Sequence, residues 1–413
     1  MTASAVDFIF SLERFGMKFG LDSMRLLCEA LGHPERAFTS VHVAGTNGKG
    51  SVAAMVDSIL RAAGHATARY TSPHLVRIEE RFVIDGVEVD RDRLEAAAAR
   101  VKAIVEGFVS SGRLEAPPTF FECTTAIAFD LFRAAGVELA VIEVGLGGRL
   151  DATNVVEPAA TAIVSIDFDH QTQLGSTLAS IAREKAGIAK PGVPMICGPL
   201  PDAARTVIAD VCAEVGAPLV RADTPSMQAR VARMPLGLPG AHQIDNAAVA
   251  VALVETLDAR GVGIGSDAIA RGLAEVRWPG RLERFDVAGR TVIVDAAHNP
   301  AGARALAKYL TATVREPVTL LFGAMRDKAV AEMAGILAPA AAEIIVTTAP
   351  SPRAMAAPDI AAIARGTHPR ITAIADPFEA LRAALDRGRT VVVAGSIFLI
   401  GPLRERIGRG ILR

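Results

Sequence analysis

The sequence lacks the marks of a secreted, membrane-spanning or nucleic-acid-coating chain. Its four cysteines, Cys28, Cys123, Cys197 and Cys212, are scattered and form no C-x-x-C pair. At that spacing they read as small buried hydrophobes in a reducing compartment, not as a zinc site or a disulfide framework. The N-terminal stretch MTASAVDFIFSLERFG has no basic segment followed by an apolar one, so no signal peptide is expected. No apolar run approaches the roughly 18 residues of a membrane span; VVVAGSIFLIG (391–401) is short and carries glycine and serine. Charge is balanced at 44 basic and 45 acidic residues, net −1, which gives no support for bulk nucleic-acid binding. There is no internal repeat and no low-complexity segment. These absences predict a soluble, cytoplasmic protein whose electrostatics are local.

The 413 residues suit two α/β domains better than one core. Hydrophobic residues make up 51%, much of it alanine, and mean hydropathy is +0.33, enough apolar material for sizeable cores. Short β-branched runs alternate with alanine-rich stretches. Strands are predicted at 40–45, 138–145, 160–166, 291–296, 317–323, 343–348 and 390–395. Their near-continuous apolar character fits strands buried on both faces of a parallel sheet. A long helix is predicted from Asp90, with Leu94, Val101, Val105 and Phe108 on one face, and another over PFEALRAALDRG. The βαβα order implies an α/β class with right-handed crossovers. The turn Trp278-Pro279-Gly280 interrupts the periodicity before a second βαβ series. The boundary is placed near residue 286, giving domains 1–286 and 287–413.

The chemistry starts at VAGTNGKGSVAAMV (43–56). A strand enters glycines, a lysine, a serine and then a helix. Gly45, Gly48 and Gly50 allow a tight turn whose N–H groups face an anion, Lys49 adds a point charge, and the helix expected near Ser51 presents its positive end. Only Thr46 and Asn47 separate Gly45 from Gly48, which is shorter than the general P-loop spacing. Read alone, the stretch is a phosphate loop or a plain glycine turn.

Three further residues gather around it. Glu143 ends the strand ELAVIEVG, at the carboxyl edge where open α/β sheets bind ligands, and could hold a metal beside phosphates. His170 follows another strand end. Lys185 lies in the amphipathic run IAREKAGIAKPG, where a lysine by itself reads as a solvated face.

The motifs AGTNGKGS, YTSPHLVRIEERF, EVGLGGRLDATN, DHQTQLG, EKAGI, HQIDNAAVA, RWPGRLE and DAAHNP occur in this order. Together they resemble the folylpolyglutamate synthase family of the Mur ligase superfamily. LFGAMRDK (321–328) and VVVAGSIFLIG extend the resemblance almost to the C-terminus. The shortened loop is that family's own form.

The resemblance implies an N-terminal P-loop ATPase-like domain with a mostly parallel sheet and a C-terminal Rossmann-like α/β domain. It implies a ligase that uses ATP to activate a carboxylate as an acyl phosphate, which the amine of L-glutamate attacks. By similarity Asn47, Gly48, Lys49 and Gly50 hold phosphates, with Ser51 close by. Ser72, Glu143 and His170 bind magnesium, with two ions expected. Lys185 matches a lysine commonly carbamylated by CO₂, which would support the second ion with His170. Lys49, His170 and Lys185 are thus the expected catalytic set. Asn246, Arg281, Asp295 and His298 match positions at the nucleotide, so both domains are expected to serve it. Thr119, Phe120, Phe121 and Glu122, with Arg149, Leu150, Asp151 and Ala152, match segments that contact dihydropteroate. Stacking suits Phe120 and Phe121, and the amino-pyrimidine edge suits Asp151. FGMKFGLD (15–22) is expected to add contacts.

Three readings stay open beside a bifunctional enzyme acting on dihydropteroate and tetrahydrofolate. One is a monofunctional folylpolyglutamate synthase. Another is a muramyl-peptide ligase, disfavoured because the loop begins too early to leave room for a preceding UDP-sugar domain. The third is a P-loop switch that binds nucleotide without making a product. The protein is expected to act as a monomer on small molecules, without nucleic acid or membrane.

Overall fold

The computed structural model describes residues 4–410 except 17, 19 and 389. The FGMKFGLD segment therefore lies partly outside the described residues. The chain divides into two compact units. The first runs to Gly237 and takes in Ile244–Val276; the second comprises Leu238–Gln243 and Arg277 onward.

The first unit holds eight strands: β1 (Thr39–Ala44), β2 (Thr67–Tyr70), β3 (Phe82–Ile84), β4 (Val87–Glu88), β5 (Leu139–Glu143), β6 (Ala160–Ile163), β7 (Met195–Cys197) and β8 (Leu219–Arg221). They lie in the order β4-β3-β2-β5-β1-β6-β7-β8. From β2 to β8 all pairs are parallel, and β3 and β4 add an antiparallel edge. β1 and β5 are buried along nearly their whole length, as expected of strands covered on both faces. The helix Lys49–Ala62 leaves β1, and the helix Ser266–Glu275 packs onto it so closely that Gly272 has no room for a side chain against Ile59. Asp90 caps the helix Arg91–Ser110 by accepting from the Arg93 N–H, and Leu94, Val101, Val105 and Phe108 are its buried face.

The second unit carries β9 (Glu283–Val287), β10 (Arg290–Val294), β11 (Val318–Phe322), β12 (Glu343–Val346), β13 (Ile371–Ala373) and β14 (Thr390–Ala394), in the order β13-β12-β11-β14-β10-β9. All pairs are parallel except β9 with β10. The continuous run of this unit begins at Arg277, ahead of the boundary placed near 286. The reason is β9: it is hydrogen-bonded to β10 along its length and cannot be separated from that sheet. Its alternating, half-exposed pattern hides it from a search for apolar runs. No described helix is long and apolar enough to cross a membrane.

Candidate active site

The carboxyl ends of β2, β5, β1 and β6 lie side by side in the first sheet. The chain leaves β1 for β2 on one side and passes from β5 to β6 on the other, so this edge is where the winding direction changes, the usual ligand crevice of open α/β sheets. The 45–51 loop, Ser72, Glu143 and His170 follow these strand ends.

The loop after β1 is braced from below. Thr46 N–H donates to the Ser165 carbonyl at 2.8 Å, and Asn47 N–H to Ser165 Oγ at 3.0 Å. Ser165 Oγ–H in turn donates to the Asn47 carbonyl at 3.0 Å. Gly48 adopts φ +83 and caps the helix Lys49–Ala62, which starts two residues earlier than expected. A β-carbon at Gly48 would collide with the Asn246 amide and with Val164, so glycine is demanded twice, by sign of φ and by space. Asn246, buried on the helix His242–Asp258, thus backs the loop directly. Gly50 and Ser51 are buried in the first helical turn. That turn leaves N–H groups at the positive end of a helix, suited to phosphate.

Two lysines meet at one carbonyl. Lys49 Nζ donates to the Gly45 carbonyl at 3.1 Å, and Lys185 Nζ donates to the same oxygen at 3.0 Å. Lys185 is only 5% exposed. Burial first, then the charge of Lys49, pushes its pKa down to about 7, against the opposing carboxylates of Asp169 and Asp151. The solvated-face reading of Lys185 is therefore corrected. The helix Leu178–Ala186 buries Ile181, Ala182, Lys185 and Ala186, so Lys185 occupies the apolar stripe and reaches under the loop. Its position is fixed by backbone packing: a side chain at Gly148 would strike the carbonyls of Glu184 and Lys185, and one at Gly187 would strike Arg149. The motifs GLGGR and EKAGI are two surfaces of one contact.

Glu143, at the end of β5, is buried and accepts the Ser72 N–H at 3.0 Å. His170 is exposed with φ +50, at the start of the short helix Gln171–Leu174, and its Nε2 lies 3.8 Å from Asp169. Among the described residues no cluster of three or more His, Cys, Asp or Glu is poised for a metal. The donors present, a serine hydroxyl, a carboxylate and a histidine, fit magnesium, which takes few protein ligands and completes its shell with phosphate oxygens and water.

The acceptor segments sort into two kinds. Phe120 and Phe121 are half-buried. Phe120 stacks on Phe10 at 5.6 Å between centroids, and Phe121 on Tyr70 at 6.0 Å. Gly145 lies flush beneath Phe121. Thr119 and Glu122 instead close a helix cap: Thr119 N–H and Oγ–H donate to Glu122 Oε2 at 2.7 and 2.8 Å, and Glu122 N–H returns to Thr119 Oγ1 at 3.2 Å. Both are buried, and this reciprocal bonding gives them a structural task. Arg149 is exposed and pairs with Glu184 at 2.9 Å; Leu150 is half-buried and Ala152 buried. Asp151 is buried beneath the turn it organises. It accepts from Leu146 N–H at 2.8 Å, Thr153 N–H at 3.0 Å and Thr153 Oγ–H at 2.5 Å. Burial raises its pKa against these donors.

In the second unit, Asp295 follows β10 and is buried, its carboxylate accepting from Leu282 N–H and Ala297 N–H, both at 2.9 Å. Burial raises its pKa, opposed by the Arg281 charge. His298 is half-buried and its Nδ1 lies 2.8 Å from the Ala296 carbonyl. Sequence reasoning missed Ser165, which braces the loop, and Asp169, which acts on Lys185. Ser165 and Asp169 flank the strand end that yielded His170, so a search on both sides of it would have found them.

A relative from Bacillus subtilis, a dihydrofolate synthase/folylpolyglutamate synthase, is 32% identical over 95% of this chain and 96% of its own length. The chain belongs to the dihydrofolate synthase/folylpolyglutamate synthase family. The family model for the Mur ligase glutamate ligase domain matches residues 280–397. A probable bifunctional folylpolyglutamate synthase/dihydropteroate synthase from Haloferax volcanii is 35% identical over 99% of this chain, but the chain spans only 51% of it. Solved family members superpose along almost the whole chain. E. coli FolC in complex with DHPP and ADP gives a TM-score of 0.86 at 29% identity, covering 99% of this chain and 98% of that one. The Mycobacterium tuberculosis folylpolyglutamate synthase complexed with ADP gives 0.89 at 31%, covering 98% and 99%. A bifunctional member with Mn, AMPPNP and L-glutamate bound gives 0.85 at 30%, covering 98% of each.

Proposed function

We propose that this family member is an ATP-dependent amide ligase. It adds L-glutamate to dihydropteroate, forming dihydrofolate, and to tetrahydrofolate, forming polyglutamates. The observation that carries the reading is the convergence of Lys49 and Lys185 on the Gly45 carbonyl, with Glu143 and Ser72 joined on the same strand edge. A nucleotide switch needs the loop but has no use for a second, half-neutral lysine buried beneath it.

Each residue has a task in this scheme. Asn47, Gly48, Lys49 and Gly50 hold the phosphates at the N-terminus of the helix Lys49–Ala62, and the Lys49 ammonium offsets charge at the γ-phosphate. Asn246, Arg281, Asp295 and His298 serve the nucleotide. Ser72, Glu143 and His170 would hold magnesium, which when bound screens the repulsion between the γ-phosphate and the acceptor carboxylate. The acceptor oxygen attacks the γ-phosphorus and ADP leaves; the glutamate amine then displaces phosphate from the acyl carbon. With a pKa near 7, Lys185 is about half neutral at physiological pH. Its free amine can add to CO₂, forming an N–C bond and releasing a proton, so that a cation becomes a carbamate. The family resemblance implies this modification and a second magnesium beside it, and the unprotonated fraction is what permits the first. Phe120 and Phe121 offer faces for the pterin, and Asp151 its edge. Action as a monomer in the cytoplasm belongs to the same proposal; the four buried, unpaired thiols support the reducing compartment.

The test is to incubate pure protein with ATP, magnesium and L-glutamate plus either dihydropteroate or tetrahydrofolate. Mass spectrometry should find dihydrofolate from the first and an added glutamate on the second. Product from tetrahydrofolate alone would make the enzyme monofunctional. ADP release that ignores glutamate would overturn the ligase reading.

A further inference from the structure

Arg81 is a buried guanidinium with no carboxylate to neutralise it. Its residue is 7% exposed, at the end of the 3₁₀ turn Ile78–Arg81 that leads into β3. Its Nε–H donates to His74 Nδ1 at 2.9 Å. A histidine that accepts at Nδ1 carries its proton on Nε2 and is neutral. Two further contacts are uncharged: the guanidinium carbon sits 5.2 Å from the centre of the Phe120 ring, and the Tyr70 hydroxyl is a hydrogen-bond partner. Glu13 and Glu143 also act on it, yet among the described residues no carboxylate lies within ion-pair distance, 4.0 Å. The half-buried Arg69 differs: it pairs with the buried Asp57 at 3.0 Å. A desolvated, uncompensated cation is costly, and a fold keeps one where an anion will arrive.

The position says which anion. On one side Arg81 covers Phe120, whose ring continues into the stack with Phe10. On the other, its own carbonyl accepts the Thr71 N–H at 3.2 Å, one residue before Ser72, whose N–H holds Glu143. It therefore bridges the aromatic faces offered to the acceptor and the residues assigned to the reacting phosphate.

We propose that Arg81 is the receptor for the acceptor's carboxylate, the group that is to be phosphorylated, pairing with it through the terminal nitrogens of its planar fork. The idea rests on the functional reading above. Held there, the carboxylate keeps its negative charge beside the γ-phosphate, and Phe10 and Phe120 set the direction of the ring that carries it. Bidentate pairing also fixes the orientation of the carboxylate plane, which a lysine cannot do.

The experiment measures binding of two ligands to wild type and to Arg81→Met and Arg81→Lys, without ATP or glutamate: dihydropteroate, and its analogue lacking the carboxylate. Thermal melting is followed in parallel. Wild type should prefer the carboxylate. Arg81→Met should lose about 10- to 100-fold for dihydropteroate, the scale of a charged hydrogen bond, while the analogue binds as to wild type. Arg81→Lys should recover part of the loss. Equal loss for both ligands would make Arg81 a packing residue and overturn the proposal, as would no loss for either. Unchanged analogue binding also answers the objection of misfolding. If wild type binds neither compound, the functional reading falls, and the receptor role with it.

Discussion

Lys185→Met should make the unliganded protein more stable, and the gain should shrink as pH rises. The lysine goes from an ordinary 10.5 to about 7 in the fold. At about 1.4 kcal/mol per pKa unit, keeping it charged costs the fold roughly 5 kcal/mol below pH 7. The sign follows from proton counting. Between about 7 and 10.5 the unfolded chain binds the proton that the folded chain has released, so wild-type stability climbs with pH in that window, by up to about 1.4 kcal/mol per unit. Below 7 both states are protonated and the slope from this group vanishes. Methionine removes the titration and keeps most of the volume. The Gly45 carbonyl retains its Lys49 donor, so little hydrogen bonding is lost. The variant should exceed wild type on the order of 3 kcal/mol near pH 6.5 after that small loss. The difference should fall by roughly 2 kcal/mol between about pH 7.5 and 9. Urea unfolding in CO₂-free, metal-free buffer reads both numbers. A difference that stays constant with pH, or a wild type more stable throughout, would refute the burial argument and with it the half-neutral amine.

Three other substitutions probe separate links. Lys49→Ala should abolish ATP turnover while the melting temperature moves little, because it removes a phosphate contact and two loop hydrogen bonds, to the Gly45 and Thr46 carbonyls; turnover near wild type would remove the loop assignment. Gly48→Ala should lose nucleotide binding and about 1–2 kcal/mol of stability from its left-handed φ alone, with more from the Asn246 clash; calorimetric ATP titration and melting check this, and normal binding would contradict the bracing. Thr119→Ala should cost about 1–2 kcal/mol through the lost helix cap, with the larger part of its effect on stability; a selective rise in the KM for dihydropteroate at unchanged stability would return Thr119 to the substrate.

The seven strands expected from apolar runs are all present, since strands buried on both faces of a parallel sheet carry that pattern by necessity. The strands that escaped are short or lie at edges. β8 is exposed at every position and β9 alternates, so neither shows a continuous run. The phosphate loop was legible because glycine, lysine and helix start must follow one another along the chain. Glu143 was legible as a strand-end carboxylate. Lys185 was visible to family resemblance but misjudged by residue type; its spacing from Ile181, four residues earlier, was the better guide. Thr119 and Glu122 carry a capping-box pattern in the sequence itself, and that local task accounts for their burial. Arg81 could not be found this way. Nothing in IEERF distinguishes a buried guanidinium from the exposed arginine a short polar turn usually holds.

The central claim is that ATP cleavage here is coupled to joining glutamate to a pteroate. The direct measurement is ADP release by purified protein with each substrate omitted in turn, with the product mass taken from the complete mixture. The account predicts ADP release that requires both L-glutamate and dihydropteroate, and one dihydrofolate formed per ADP. ADP release without glutamate, or complete mixtures that yield ADP and no amide, would contradict it.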